Sequence, residues 1–170
     1  MKTTSEITGQ ELVNALERLN IRFILGAQSD EKTRSVDPVS LIAALAQSDD
    51  ARLRLALIPL FLEHPEFSKY APEVADQLDA SARLTLQCYY TAAFCLLEEN
   101  NPNGKHLPDY FSKELNLSFS GTCQENLHLL AKRHRELSGM AVNWLGTYLH
   151  AAKFRRTHSA PNRNFNRCIP

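Results

Sequence analysis

Three local constructions that announce a chemistry are missing from this chain of 170 residues. It has no Gly-rich phosphate loop, no Gly-x-Ser-x-Gly elbow and no His-Glu-x-x-His helix. Those constructions cradle a nucleotide, present a nucleophilic serine and hold zinc beside a general base, so none of these chemistries is expected and no cofactor is expected. The four cysteines, at 88, 95, 123 and 168, include no Cys-x-x-Cys and no cluster with histidine at zinc spacing, which argues against a structural metal. Long apolar runs are missing too. The nearest, Leu55 to Leu62, is interrupted by Pro59 and falls far short of the ~18 residues a membrane-spanning helix needs. The first residues, Met1 to Thr8, hold no apolar run that would serve as a signal-peptide core, so the expected location is the cytoplasm.

Net charge is the last absence: 19 lysines and arginines face 19 aspartates and glutamates. The balance hides an asymmetry. Residues 151–170 carry Lys153, Arg155, Arg156, Arg163 and Arg167 and no acid, which leaves residues 1–150 at −5. A basic tail on a mildly acidic body suits an acidic partner or nucleic acid, or is a solvated end. Residues 155–170 include Pro161 and Pro170, have only Phe165 and Ile169 as large apolar residues, and show no helical period. They are expected to be disordered and dispensable for folding.

What is present is helical patterning. With 44% hydrophobic and 22% charged residues the composition is that of an ordinary globular chain, long enough to bury its own core without metal or disulfide. Thr8 and Glu11 stand at the two positions of a capping box, flanked by Ile7 and Leu12 as a hydrophobic staple, and the helix they open ends near Asn20. Residues 21–26 are a short apolar run that periodicity cannot assign, read as an extended segment or a helix continuation. Residues 28–35 are a loop. Asp37 with Pro38 opens a helix to about Gln47, because the aspartate caps free N–H groups and proline at the first position gives up no bond. The next helix, 51–63, is apolar almost all round and is expected at the centre, with Pro59 either bending or dividing it. A helix from Pro72 to Leu78 and a long one from 82 to 98, opened by Ser81, follow. Residues 100–105 form a loop, the best place for a boundary between halves; a short helix spans Pro108–Leu115. The final helix is expected to run from Thr122 to Phe154, with Leu127, Leu130, His134, Leu137, Ala141, Leu145, Tyr148 and Ala152 on its buried stripe and Gly139 and Gly146 inside it.

The resulting expectation is an all-α chain of six or seven helices: a compact irregular bundle or a short array of hairpins. Its core is built on 51–62 and 84–97. Residues 1–154 form one helical domain, with a subdivision point near 100–106, and 155–170 the tail. The pairs 38–47 with 51–63 and 72–78 with 82–98, together with Asp50, Arg52 and Arg54, resemble the helical-hairpin units of HEAT-like repeats. Residues 51–65 and the stretch Asn143 to Ala152 are also similar to small bacterial helical proteins that accompany nucleotidyltransferases, which implies a regulatory partnership with such an enzyme.

Candidate functional residues are few. The run Lys132-Arg133-His134-Arg135-Glu136 is a solvated helix face or a phosphate contact, and Lys132, Arg133 and Arg135 with Arg155 and Arg156 are the residues that would touch an acidic partner or phosphate. His128 and His134 lie six apart, on different sides of a helix, without a carboxylate pair to complete a metal triad. Helical RNases of the HEPN type place a histidine four to six residues after an arginine. Arg133 and Arg135 are instead followed by His134 and His150, which speaks against a nuclease. Tyr89, Tyr90, Trp144 and Tyr148 are expected in the core with one buried hydrogen bond apiece, and Cys88 and Cys95 as small core hydrophobes. The reading that results is a non-enzymatic helical module that binds a protein partner, with no membrane association. The rival is a nucleic-acid-binding or nuclease subunit acting through 132–135 and the tail.

Overall fold

Side-chain caps set where most of the helices begin. In the computed structural model, which describes residues 7–21, 35–99 and 104–154, α1 (Gly9–Arg18) opens on both halves of the capping box. The Glu11 N–H donates to Thr8 Oγ1 at 3.3 Å, and the Thr8 N–H donates to the Glu11 carboxylate at 2.7 Å. Helix α2 (Pro38–Gln47) opens on Asp37, whose Oδ1 accepts the Ser40 N–H at 3.0 Å. Hydrogen bonds from Ser40 hold the Asp37 carboxyl below its usual range. The apolar run at 21–26, the loop at 28–35, residues 100–103 of the next loop, Cys168 and the tail with Arg155 and Arg156 lie wholly or mainly outside the described residues.

The end of α1 shows what Ile21 does. Asn20 takes a left-handed backbone, φ 61°. The Asn20 N–H then reaches the Glu17 carbonyl and the Ile21 N–H the Leu16 carbonyl, both at 2.9 Å. This is the Schellman pattern, and its usual apolar clasp is present, since Ile21 and Leu16 are both buried. Ile21 therefore terminates a helix.

The apolar segment 51–63 divides, and the place follows from Pro59. A proline ring clashes with the carbonyl four residues earlier and leaves it without a donor, and here that residue is Leu55. Helix α3 ends at Leu55 (Ala51–Leu55) and α4 begins at Leu57 (Leu57–Glu63), with Ala56 between them. A 3-10 turn at Pro65–Tyr70 leads into α5 (Ala71–Gln77) and then α6 (Ala80–Glu99). The cap of α6 is Asp79, not Ser81: its Oδ1 accepts the Ser81 and Ala82 N–H groups at 2.9 and 3.0 Å.

Two helix assignments fail beyond residue 104. Residues 108–115 do not form a helix but a single capped turn. Asp109 accepts the Ser112 N–H, and Asn116, at φ 57°, closes a second Schellman pattern with Leu117 bonded back to Ser112. The segment runs antiparallel to α6: Tyr90 Oη donates to the Pro108 carbonyl at 2.8 Å, and Gln87 Nε2 to the Glu114 carboxylate at 2.6 Å. Arg83 adds an ion pair to the same carboxylate at 3.2 Å, and Leu107, Phe111 and Leu115 are buried. The long terminal helix is two helices, α7 (Cys123–Ser138) and α8 (Trp144–Ala152). Gly139 sits at φ 68°, a left-handed cap that any side chain would strain. A Cβ there would touch nothing within 4 Å, so backbone conformation and not crowding calls for glycine. Gly146 has the opposite reason. The Asn143 side chain caps α8 by accepting the Gly146 N–H at its Oδ1, and a Cβ on residue 146 would come within 2.8 Å of that side chain.

Among the described residues the chain is all-α, with no strand, and seven α-helices if α3 and α4 are taken as one interrupted helix. Helix α6 is the hub, packing most extensively on α4 and α7 and also on α5, α2 and α8. Every residue from Leu57 to Leu62 is buried, as are most of Leu86 to Leu97.

Candidate functional site

Helix α7 carries the candidates Lys132, Arg133 and Arg135 together with His128 and His134, and it has two chemically distinct faces. A second capping box opens it, with the Glu125 N–H donating to Thr122 Oγ1 at 3.3 Å and the Thr122 N–H to Glu125 at 2.7 Å. That engagement holds the Glu125 carboxyl below its usual range.

The inner face is built around His134, 3% exposed. Its Nδ1 lies 2.7 Å from Tyr148 Oη on α8, and its ring stacks on Trp144 with centroids 3.6 Å apart and planes 18° from parallel. Tyr89 of α6 closes the cluster with its edge, 6.0 Å from the imidazole. Burial pushes His134 down to about 4 and pushes the Cys88 and Cys95 thiols and the Tyr89 phenol up to about 12; the Tyr90 and Tyr148 phenols move in the same direction. All are therefore uncharged near pH 7. A thiol kept from its thiolate is a poor nucleophile, and an imidazole enclosed on all sides does not reach a substrate's proton. Trp144 Nε1, in a side chain 8% exposed, has no hydrogen-bond partner. The expectation of one buried bond per aromatic thus fails for Trp144 and is met by Tyr90 and Tyr148.

The outer face carries Lys132 and Arg135, both exposed. Arg133 is differently placed. It is half-buried, its Nε donates to the Leu115 carbonyl at 2.8 Å and its Nη1 pairs with Glu136 at 3.2 Å. It ties α7 to the capped turn at 111–116. His128 is exposed and His134 buried, and among the described residues no three metal-ligating side chains converge.

The outer face also holds residues that pattern reading missed. Among the described residues the exposed large hydrophobic side chains are Leu129 at 45%, Leu137 at 43% and Met140 at 53%, all on α7 or just past its end. Leu137 was expected on the buried stripe with Ala141, and both are exposed. The stripe assumed one continuous helix: the break at Gly139 takes Ala141 out of register, and Leu137, still in register with Leu130, lies in the last turn of α7 and is left uncovered. Gly139 followed by Met140 was the available signal, since glycine just past an amphipathic run is a helix stop.

The chain matches no family model, no curated protein and no solved structure.

Proposed function

We propose that this chain is a non-enzymatic interaction module that holds a protein partner on the outer face of α7. One observation carries the reading: the exposed large apolar side chains of the described residues gather on one stretch, Leu129 to Met140, and do not scatter. Scattered single hydrophobes are normal on a surface, whereas a gathered set rimmed by polar residues marks a binding face. The interior supports the same reading, because its titratable groups are enclosed and neutral. No helix among the described residues is long and apolar enough to cross a membrane.

The test is site-specific photocrosslinking in cells that make the protein, with a photoreactive side chain at 129 or 137 and a control at exposed Gln77 on α5. A discrete protein adduct is expected from 129 and 137 and not from 77. The adduct from 137 should disappear when Leu129 and Met140 are changed to serine. No adduct, or an adduct to nucleic acid, would overturn the reading.

A further inference from the structure

The partner's chemistry can be read from how charge and apolar surface are arranged on this face. On a helix, residues four apart form rows. Leu129, Arg133 and Leu137 form one such row, and the exposed Met140 follows just past the helix end. Beside it His128, Lys132 and Arg135, all exposed, follow at i, i+4 and i+7. The acids of α7 do not balance that second row. Glu125 is engaged by the N-terminal cap and Glu136 by Arg133, and among the described residues no ion pair reaches Lys132 or Arg135. The outer face is therefore an apolar strip with a positive margin.

Resting on the reading that this face holds a protein, we propose that its occupant is an acidic amphipathic helix of another protein. The partner's apolar residues would lie along Leu129, Leu137 and Met140, and its aspartates or glutamates would meet Lys132 and Arg135. From Leu129 to Leu137 the strip is ~12 Å long, which matches a little over two turns of such a helix. Two other occupants fit less well. A second copy of this chain would bring no free acid of its own α7 to Lys132 and Arg135, because Glu125 and Glu136 are already engaged. Nucleic acid would satisfy Lys132 and Arg135 but leave the three apolar side chains against phosphate, and the third cation of the run, Arg133, is already engaged by Leu115 and Glu136.

The experiment is a fluorescence-anisotropy titration of the full chain against four labelled probes. They are a short helical peptide with leucines on one face and glutamates beside them, the same peptide with lysines for glutamates, the acidic peptide with serines for leucines, and a single-stranded oligonucleotide. Two double variants accompany the wild type: Leu129→Ser with Leu137→Ser, and Lys132→Glu with Arg135→Glu. All four positions are exposed, so unchanged thermal melting is expected and is checked first. The acidic amphipathic peptide should bind best, should weaken with salt, and should lose about tenfold or more in either double variant. The charge-reversed variant should gain binding to the lysine peptide. Equal binding of the acidic and lysine peptides, acidic-peptide binding indifferent to Lys132→Glu with Arg135→Glu, preference for the oligonucleotide, or self-association that hides the face would each overturn the proposal. Crosslinks from 129 and 137 to a partner segment that is not acidic would overturn it while leaving the interaction reading intact. Absence of any crosslink would remove that reading as well.

Discussion

The inner and outer faces of α7 are built from nearly the same residue types, and burial turns them into different materials. Inside, His134 is an uncharged ring stacked on Trp144 and bonded to Tyr148. Outside, His128 and Arg135 stand in water, and Leu137 contributes nothing to the core. Leu130 and Leu137 are one heptad apart, yet one is fully buried and the other 43% exposed. Side-chain chemistry alone does not assign a role; the neighbour supplied by another helix does.

The comparison can be broken most directly at Tyr148. Changing Tyr148→Ala should cost ~3–5 kcal/mol in a urea unfolding curve, because it opens a cavity and strips Nδ1 of His134 of its partner. A loss under ~1 kcal/mol would show that the inner cluster is not tightly packed.

Next in size is the response to acid. Burial holds folded His134 at about 4 against an ordinary value of 6.5, so between those values the unfolded chain binds the extra proton. The contribution is whole above pH ~6.5, falls as pH drops toward about 4 and levels off below. It amounts to ~3 kcal/mol in all. His134→Gln, which keeps a hydrogen-bonding end without a titrating ring, should flatten the stability–pH curve over that window relative to wild type. Parallel curves would mean that folding does not lower the affinity of His134 for a proton.

A smaller effect is expected where the two helices part. Gly139→Ala should cost ~1–2 kcal/mol through the left-handed backbone alone, since its Cβ meets no neighbour. Gly139→Asn should recover part of that loss, because asparagine tolerates the conformation, as Asn20 and Asn116 do here. If both variants melt with wild type, the break between α7 and α8 is not held by this residue.

The smallest effect belongs to the outer face. Leu137→Ser should change stability by less than ~0.5 kcal/mol, whereas a buried leucine on the same helix, changed as Leu130→Ala, should cost ~2–5 kcal/mol. Comparable losses at the two positions would erase the distinction between the faces, and with it the binding surface.

Much of the framework was legible because its causes are local. A capping box needs only two side chains three residues apart, so Thr8 with Glu11 and Asp37 with Pro38 could be read directly, and the apolar runs at 51–62 and 84–97 marked the core. The misreadings have causes at a distance, or lie in backbone states that a residue's identity only permits. Asn116 closes a Schellman turn where a helix was expected, and Arg133 reaches across to the Leu115 carbonyl although its neighbours in sequence suggested a free basic run. Leu137 keeps the period of the expected stripe and is exposed because no described residue encloses it in the last turn of α7, and Ala141 leaves the stripe because the helix stops at Gly139.

By itself, then, the amino-acid order determined where most helices start, which segments must be buried, and that the chain is all-α, because hydrogen bonds within a few residues and apolar periodicity are properties of the local chain. The tertiary structure decided which histidine is enclosed, which arginine is engaged and which leucines stay in water. Those outcomes depend on the desolvation and the partner atoms that α6, α8 and the capped turn at 111–116 bring to α7 from ten or more residues away.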